Sequence, residues 1–579
     1  MKQKIFLAIA LFCLSAHGGF AQSHSDKLKG WHLLDSTQDR YYGISLNKAY
    51  TYLASKNKTP QTVIVAVLDS GVDTAHEDLK KILWHNPKEI PGNGIDDDHN
   101  GYSDDVYGWN FLGGKDGRNI NKASDERSRV YHRWKDRFTG KIIDTAALSV
   151  IDKETYAIWS KAAAAMNFSQ EEQMDVLFIE LTAKALKRHD KVLRQEMGKE
   201  EYSTEELERF EPITKTGKEA KLGFLTCIKI MGIEPDEKNS TMLKELDEYV
   251  EGKKAGFESK DKAPKDVRAE IVQDNYTNLA DRFYGNNDIM GPDPMHGTHV
   301  TGIIGAQRNN EIGVDGVADR VQIMTLRMVP DGDEYDKDVA LAIRYAVDNG
   351  AKVINMSFGK SFSPEKRWVD SAVRYAAQHD VLLVHASGNE SEDIDIKENF
   401  PNPLLIPWKS RAPNFITVGA SSDLTIGNSL VADFSNYGKE LVDVFAPGVK
   451  IYSTLPGGNQ YGHLKGTSMA APIVSGLAAL LRSYFPELSA IETKKIIEQS
   501  VSLPDSALSC MKPGSDPVAC TISSLCKTGG IVNAYNAVMN ATSLTQTLAQ
   551  QKKATDKSGA GPTSKNAPVK KTATLQNRM

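Results

Sequence analysis

The fold is decided by a short stretch near the start of the chain, which reads Val63-Ile64-Val65-Ala66-Val67-Leu68 and ends in Asp69-Ser70-Gly71. Its apolar residues run without interruption, and most of them are β-branched. A short run without polar alternation is typical of a strand that is buried on both faces, as in a parallel sheet. We therefore predict a central strand with polar residues at its carboxyl end.

Short apolar runs alternate with helical stretches after residue 297. Strands are predicted at 321–326, 353–356 and 381–384, and helices at 338–349 and 371–378. This alternation indicates an α/β fold, in which a parallel sheet is covered by helices on both faces. Because active sites of such folds lie at the carboxyl ends of the strands, we expect functional residues there.

Residues from about 116 to 285 interrupt this pattern, because they are dense in charged and helix-forming residues. Two Ser-x-x-Glu sequences, 169–172 and 203–206, have the form of a helix capping box. We predict a mostly helical insertion whose ends meet near the edge of the sheet.

Five parts make up the predicted organisation. They are a signal peptide (1–21), an N-terminal segment with the first part of the main domain (22–115), the helical insertion (116–285), the remainder of the main domain (286–540) and a disordered tail (541–579). The tail is poor in large apolar residues, so it cannot bury enough surface to offset its ordering entropy.

The N-terminus has the features of a secretory signal. Lys2 and Lys4 precede an apolar stretch at 5–14 that is too short to span a bilayer, and small residues follow at 19–21. We predict export to the periplasm or the extracellular space. A buried first strand or helix is the alternative interpretation.

The bulk composition narrows the class of protein. A net charge of −5 over 579 residues gives no strong attraction to nucleic acid or to an acidic membrane. No other stretch approaches the roughly 18 consecutive apolar residues of a transmembrane helix.

Export permits disulfides, and we expect one bridge among Cys510, Cys520 and Cys526, with the pairing left open.

Three segments carry residues of the types that activate a serine: 67–73 with Asp69, 296–302 with His296 and 466–472 with Ser468. A serine hydroxyl is a weak nucleophile that needs an adjacent base, and histidine suits neutral pH. A buried carboxylate fixes the imidazole tautomer and stabilises the imidazolium. The apolar run after Ser468 predicts a helix, whose N-terminal N–H groups favour negative charge.

Each segment alone also has a structural interpretation, as a turn, a metal-binding pair or a helix cap. Together, the order Asp69, His296, Ser468 resembles that of subtilisin. Two further segments, 386–390 (Ala-Ser-Gly-Asn-Glu) and 355–359 (Asn-Met-Ser-Phe-Gly), add to the likeness. The chain resembles the subtilase family of serine peptidases, peptidase S8, over residues 59 to about 113 and 286 to about 500.

The resemblance implies a secreted serine endopeptidase with a subtilisin-like sheet, which acts on proteins or peptides and needs no cofactor for catalysis. Ser468 would be the nucleophile, His296 the general base and Asp69 the residue that orients the histidine. Asn389 would stabilise the oxyanion together with the backbone N–H of Ser468. The substrate backbone would bind along Ser357, Phe358 and Gly359.

Two departures from the family pattern bear on function. Asp69 and His296 are 227 positions apart, and the helical insertion fills this distance. Only about 47 residues separate the predicted signal from Asp69, too few for the family's usual prodomain. Since the insertion returns just before His296, we expect it to act as a lid, with passive packing as the alternative.

Two rival functions stay open at this point. A catalytically blocked binding protein would keep the fold while the insertion closes the cleft. A hydrolase of esters or thioesters would use the same catalytic residues.

A second candidate site lies in the acidic loop at 93–105. Its sequence resembles a calcium loop, in which alternate oxygen ligands surround a sharp glycine turn. The predicted ligands of a structural Ca²⁺ ion are Asp96, Asp98, Asn100, the Tyr102 carbonyl, and Asp104 or Asp105. Tyr107 stands where an EF-hand has its bidentate glutamate, and an acidic turn without a metal is the alternative.

Overall fold

The computed structural model describes residues 28–231, 238–407, 409–505, 508, 510–514 and 518–558. The predicted signal peptide lies outside these residues, as do the last residues of the predicted tail, 559–579. The strands are β1 Val63–Asp69, β2 Gly108–Asn110, β3 Val321–Arg327, β4 Val353–Met356, β5 Leu382–Ala386, β6 Leu404–Leu405, β7 Ser410–Arg411, β8 Phe415–Ser421, β9 Val444–Pro447, β10 Ile451–Leu455 and β11 Gln460–Leu464.

Seven parallel strands form the main sheet, in the order β2-β3-β1-β4-β5-β8-β9. The central strand β1 aligns with β3 along its whole length, and its last residue, Asp69, faces Arg327. Alternate side chains of β1 enter different cores, since Val65 and Val67 lie on one face and Ala66 and Leu68 on the other. The predicted strand, buried on both faces, is therefore confirmed.

Helices cover both faces of the sheet, which confirms the predicted α/β fold. In chain order they are α1 Leu46–Ser55, α2 Glu126–Phe138, α3 Val150–Ala165, α4 Gln170–Met197, α5 Thr204–Arg209, α6 Lys215–Met231, α7 Asn239–Glu258, α8 Val267–Ile271, α9 Met295–Gly305, α10 Asp336–Asp348, α11 Lys366–Gln378, α12 Thr467–Tyr484, α13 Ala490–Gln499 and α14 Ala534–Ser558. Helices α9 and α12 share one core with the sheet, and α10 and α11 share the other.

The insertion is helical, as predicted, and α2 to α8 lie within it. Both capping boxes form at the N-termini of α4 and α5. The helices α4 to α7 bury a small core of their own, formed by Leu186, Leu193, Tyr202, Leu207, Ala220, Phe224, Ile228 and Met242. Asn110 and Asn286 exchange backbone hydrogen bonds of 2.9 and 3.1 Å, so the chain leaves and returns beside the edge strand β2.

The C-terminal region differs from its predicted disorder. The long helix α14 continues through residue 541 to Ser558. Its first turns are fixed because Ala537, Val538 and Ala541 are fully buried in the main core. A helix anchored in this way extends by adding one backbone hydrogen bond per residue, which composition alone does not reveal.

Two smaller findings concern the cysteines and the helices. The Sγ atoms of Cys510 and Cys520 lie 3.4 Å apart across a short antiparallel pairing, so this pair is the best placed for the predicted bridge. Cys526 is buried in the same apolar cluster. Among the described residues, each helix is too short or too polar to cross a membrane.

Candidate active site

Three elements bring Asp69, His296 and Ser468 to the carboxyl end of the sheet. Asp69 is the last residue of β1, His296 lies in the first turn of α9, and Ser468 lies in the first turn of α12. The glycine after the histidine permits this approach, since a Cβ at Gly297 would lie only 2.1 Å from the Gly71 carbonyl oxygen.

Asp69 holds the imidazole of His296 in one orientation. The Nδ1 of His296 and the Oδ1 of Asp69 are 2.7 Å apart. The same Oδ1 accepts the backbone N–H of Ser70 at 2.7 Å, which fixes the carboxylate in turn. Asp69 is 2% exposed, whereas the His296 side chain is 36% exposed. The pair therefore has a buried, orienting end and an end that faces the cleft.

The electrostatic surroundings favour the protonated imidazole. Burial disfavours a charged His296, but the charge of Asp69, its hydrogen bond and the charge of Asp293 outweigh this effect and raise the pKa of His296. A raised pKa makes the imidazole a stronger base toward a serine hydroxyl.

The Ser468 hydroxyl lies in a resting position. Its Oγ donates to the carbonyl oxygen of Ser357 at 3.1 Å, and the Ser357 hydroxyl donates to the carbonyl of Ser468 at 2.9 Å. Within the described part of the chain, this hydroxyl makes no hydrogen bond to His296. Catalytic hydrogen bonds often form only with substrate bound, and a rotation about the Cα–Cβ bond redirects Oγ.

Asn389 lies beside Ser468, with its amide oriented by Thr467. The Oδ1 of Asn389 accepts from the backbone N–H of Thr467 at 2.9 Å and from its hydroxyl at 3.0 Å. This leaves the exposed NH₂ group free to donate to a bound oxygen. Sequence analysis did not assign this orienting role to Thr467, although the residue stands in the serine motif.

The predicted substrate-binding residues, Ser357 to Gly359, directly follow β4, and we call them the substrate-binding edge. Ser357 and Phe358 are buried, and Gly359 is exposed. The carbonyl of Phe358 accepts from Nε2 of His385 at 2.7 Å, which fixes the peptide plane before Gly359. Ser357 and Phe358 therefore hold this edge in place, and Gly359 offers its backbone at the surface.

A cavity of about 990 Å³ lies beside this edge. Gly359 and Glu390 line it, together with Asn399, which sequence analysis did not single out. Asn399 donates to the Ser387 carbonyl at 2.8 Å, and a Cβ at Gly359 would lie 2.8 Å from its Oδ1. Contact between segments forty residues apart has no local signal in the sequence.

A family model for the subtilase family of peptidases, S8, matches residues 61–561. The chain belongs to the subtilase family. The thermophilic serine proteinase of Bacillus sp. (strain AK1) is 39% identical over 213 residues, which are 36% of this chain and 48% of the relative. Thermitase of Thermoactinomyces vulgaris is 37% identical over 219 residues, which are 37% of this chain and 72% of the relative.

Subtilisin BL of Lederbergia lenta is 36% identical over 208 residues, which are 36% of this subtilase and 70% of the relative. The match to the first relative, the Bacillus proteinase, spans about half of that protein's length.

The acidic loop divides the predicted calcium ligands into two groups. Asp96 and Asp98 lie together with Glu89, and one ligand oxygen of each is within 4.8 Å of the others. Glu89 also accepts the backbone N–H groups of Asp97 and Asp98 at 3.0 and 3.2 Å. Sequence analysis missed Glu89 because it precedes the recognisable loop.

The remaining predicted ligands have other hydrogen-bond partners. Asp104 accepts the backbone N–H groups of Gly92 and Gly94 at 2.8 and 2.6 Å. Asp105 accepts from Tyr345, Asn86 and Asn100, and burial raises its pKa to about 6. The Asn100 side-chain oxygen accepts from the N–H of Tyr102. These contacts stabilise the loop from within.

Proposed function

We propose that this subtilase is a serine endopeptidase that cleaves peptide bonds through an acyl-enzyme on Ser468. The proposal rests on one observation above all, the 2.7 Å contact of Asp69 with His296 at the sheet end where α12 presents Ser468. Membership of the family supports it, as do relatives that are named serine proteinase, thermitase and subtilisin.

Acylation begins when the Ser468 hydroxyl turns from the Ser357 carbonyl toward His296. Since Nδ1 is engaged by Asp69, Nε2 accepts the hydroxyl proton while Oγ bonds to the peptide carbonyl carbon. Asp69 stays ionised and stabilises the imidazolium. The imidazolium then gives its proton to the leaving amine, the C–N bond breaks, and an ester on Ser468 remains.

Deacylation repeats these steps with water. His296 removes a proton from the water as its oxygen attacks the ester carbon. The proton then passes to Oγ of Ser468 as the bond between the acyl carbon and Oγ breaks and the acid product leaves. In both tetrahedral stages, the Asn389 amide and the Ser468 N–H donate to the oxyanion. The N–H groups in the first turn of a helix have no intrahelical acceptor, so α12 supplies this donor without losing a bond.

Covalent labelling with a peptidyl phosphonate tests this assignment. The wild-type protein should become labelled and should cleave casein, whereas Ser468→Ala should do neither. In subtilisin, loss of the nucleophile costs about 10⁶ in kcat, and we expect a loss of the same order. Ser543→Ala, at an exposed serine of α14, is the matched control and should behave as wild type. Full casein cleavage by Ser468→Ala would refute the proposal.

The exposed end of His296 argues against a blocked binding protein, since an insertion that closed the cleft would cover it. Turnover of matched peptide and ester substrates separates the endopeptidase from an esterase. A peptidase should retain activity on an amide several residues long, whereas an esterase should act on the ester alone.

We propose, in addition, that the protein is exported and that residues 1–21 are removed. Lys2, Lys4 and the apolar stretch at 5–14 support this proposal. N-terminal sequencing of the mature protein should give Gln22 as the first residue.

We also propose that Glu89, Asp96 and Asp98 bind a structural Ca²⁺ ion. Carboxylate oxygens that converge from two segments of chain suit a hard cation. The ion would act on stability alone, because these residues are absent from the triad and the oxyanion site.

A further inference from the structure

The insertion reaches the substrate-binding edge through a buried lysine. Lys360 directly follows Gly359, and its side chain is 1% exposed. Its Nζ contacts Oε2 of Glu126 at 2.9 Å, the Glu334 carbonyl at 2.7 Å and Oδ1 of Asp336 at 2.8 Å. Glu126 is the first residue of α2, so one of these three partners comes from the insertion.

Hydrogen bonds and opposite charges together compensate the ammonium group. Two of its three N–H donors bond to Glu126 and to the Glu334 carbonyl, and Asp336 forms an ion pair with it. Burial disfavours the charged form, but Asp336, Glu126 and Glu334 together raise the pKa of Lys360 well above its usual value. A buried charge with fixed partners is costly to displace, because a lost partner leaves the charge uncompensated.

Glu126 is itself held in place from both sides. Its carboxylate accepts from Arg129 at 2.6 Å, and its backbone N–H donates to Asp333 at 2.6 Å. The same guanidinium donates to the carbonyl oxygens of Asp333 and Glu334, both at 3.0 Å. The start of α2 is therefore fixed to the segment 333–334 as well as to Lys360.

The backbone of Lys360 transmits this constraint to the cavity. Lys360 and Phe400 exchange two backbone hydrogen bonds, of 3.0 and 2.8 Å. Their neighbours, Gly359 and Asn399, line the cavity together with Glu390. A shift of Lys360 would move both of these residues.

We propose that the insertion positions the substrate-binding edge, with Glu126 and Lys360 as positioning residues. We call the contact between Glu126 and Lys360 the brace. It fixes where Gly359 and Asn399 meet a peptide substrate, and it does not involve the reacting atoms. This inference rests on the proposed endopeptidase function. It assigns the N-terminal part of the insertion to substrate binding, in addition to any role of the rest as a lid.

Glu126→Gln tests the brace, because it keeps the shape of the side chain and removes its charge. Misplaced contacts away from the chemistry raise KM, and we expect a rise of about tenfold for a peptide several residues long. A single-residue ester meets only the start of the edge, at Ser357 beside Ser468, and should not depend on Gly359 or Asn399, so its kcat and KM should stay within about twofold of wild type. Titration with the phosphonate measures the concentration of competent enzyme.

Glu154→Gln is the matched control. It removes another ion pair between the insertion and the rest of the chain, the contact of Glu154 with Arg367 at 2.7 Å, in which both side chains are exposed. This variant should leave kcat and KM unchanged for both substrates. If Glu126→Gln yields too little folded protein, Glu126→Asp replaces it, since the shorter acid keeps the charge but withdraws from Lys360.

The outcomes separate this proposal from the proposed function. A wild-type protein that the phosphonate does not label and that does not cleave casein would refute the proposed endopeptidase function. An active wild type with unchanged peptide KM in the Glu126 variant would refute the brace alone. Equal losses on the peptide and the ester would also refute it, since they would show general damage to the site.

Discussion

At the scale of single residues, the site depends on groups that orient other groups. Asp69 fixes His296, Thr467 fixes Asn389, and Ser357 holds the resting Ser468 hydroxyl. The motifs supply the reacting residues, and their neighbours in space set the directions in which these residues act. This division allows the predicted effects on binding and on turnover to be separated.

The Asn389→Ala variant should lower kcat and leave KM nearly unchanged. The amide donates to an oxygen that becomes charged only during reaction, so its loss should affect the transition state. In subtilisin the corresponding loss is about 10²–10³ in kcat, and we expect the same range. Steady-state kinetics on one peptide substrate measure both constants. A raised KM with unchanged kcat would show that Asn389 binds the ground state instead.

The pH profile should report the environment of His296. The base must be neutral, so kcat/KM should fall as pH drops through the histidine pKa. Asp293 is among the groups that raise this pKa, and it acts through its charge. Asp293→Asn should therefore lower the pKa and move the acid limb to lower pH, without a loss of activity at alkaline pH.

Salt provides the control for this shift. A charge effect between exposed groups is screened at high ionic strength, so wild type and Asp293→Asn should converge there. A shift of the acid limb to higher pH in the variant would contradict the assigned direction.

At the scale of elements, the sequence predicted four strands of the main sheet, β1, β3, β4 and β5, but neither β2, β8 and β9 nor the contacts between loops. The run that forms β1 is continuous and apolar, which predicts a strand buried on both faces, and the structure pairs this strand with β3 and β4. Asn399 and Lys360 carry no such pattern, because their partners come from distant segments. Asn399 is an unremarkable polar residue in sequence, and only the fold places it against Gly359.

The acidic loop shows the same limit. Its spacing predicted a cation site, and the structure retains Asp96 and Asp98 in the candidate group while Asp104 and Asp105 hold the loop together. Spacing identifies the oxygens available but leaves open the direction of each side chain. Glu89 enters the group from the preceding turn.

Calcium should raise the melting temperature through this group. A ligand that binds only the folded state at about 100-fold excess over its Kd stabilises by roughly 2.7 kcal/mol. Calorimetry with calcium and with EDTA measures this difference. The Asp96→Ala/Asp98→Ala variant and Glu89→Gln should both lose the response, whereas Asp97→Asn, in the same loop, should keep it. An equal response in all four proteins would place the effect elsewhere.

At the scale of the whole molecule, the insertion consists of two parts with different attachments. The helices α2, α3 and α8 contact the main domain, for example through Glu126, Lys161 and Arg268. Among the described residues, no hydrogen bond or ion pair joins α4–α7 to the chain outside the insertion. These four helices are packed on their own core, and the insertion residues that line the cavity, such as Arg127 and Lys161, belong to α2 and α3.

Deletion of α4–α7 tests whether they form a lid. The ends of the deleted segment are close, since the rings of Phe168 and Phe257 lie 4.3 Å apart and Lys260 contacts Asn167 at 3.0 Å. A short Gly-Ser linker in place of 169–258 therefore leaves α2 and Glu126 in position. Cleavage of a short peptide should stay within about threefold of wild type, because the triad and the brace are retained.

Cleavage of folded proteins should respond differently to this deletion. A lid excludes bulky substrates more than short ones, so if α4–α7 form one, we expect the rate on a folded protein to rise by about tenfold. The ratio of protein to peptide cleavage measures the lid directly, because a loss of competent enzyme cancels in it. An unchanged ratio in a folded deletion variant would show that α4–α7 pack passively, and the role of the insertion would then lie in its contact with Lys360.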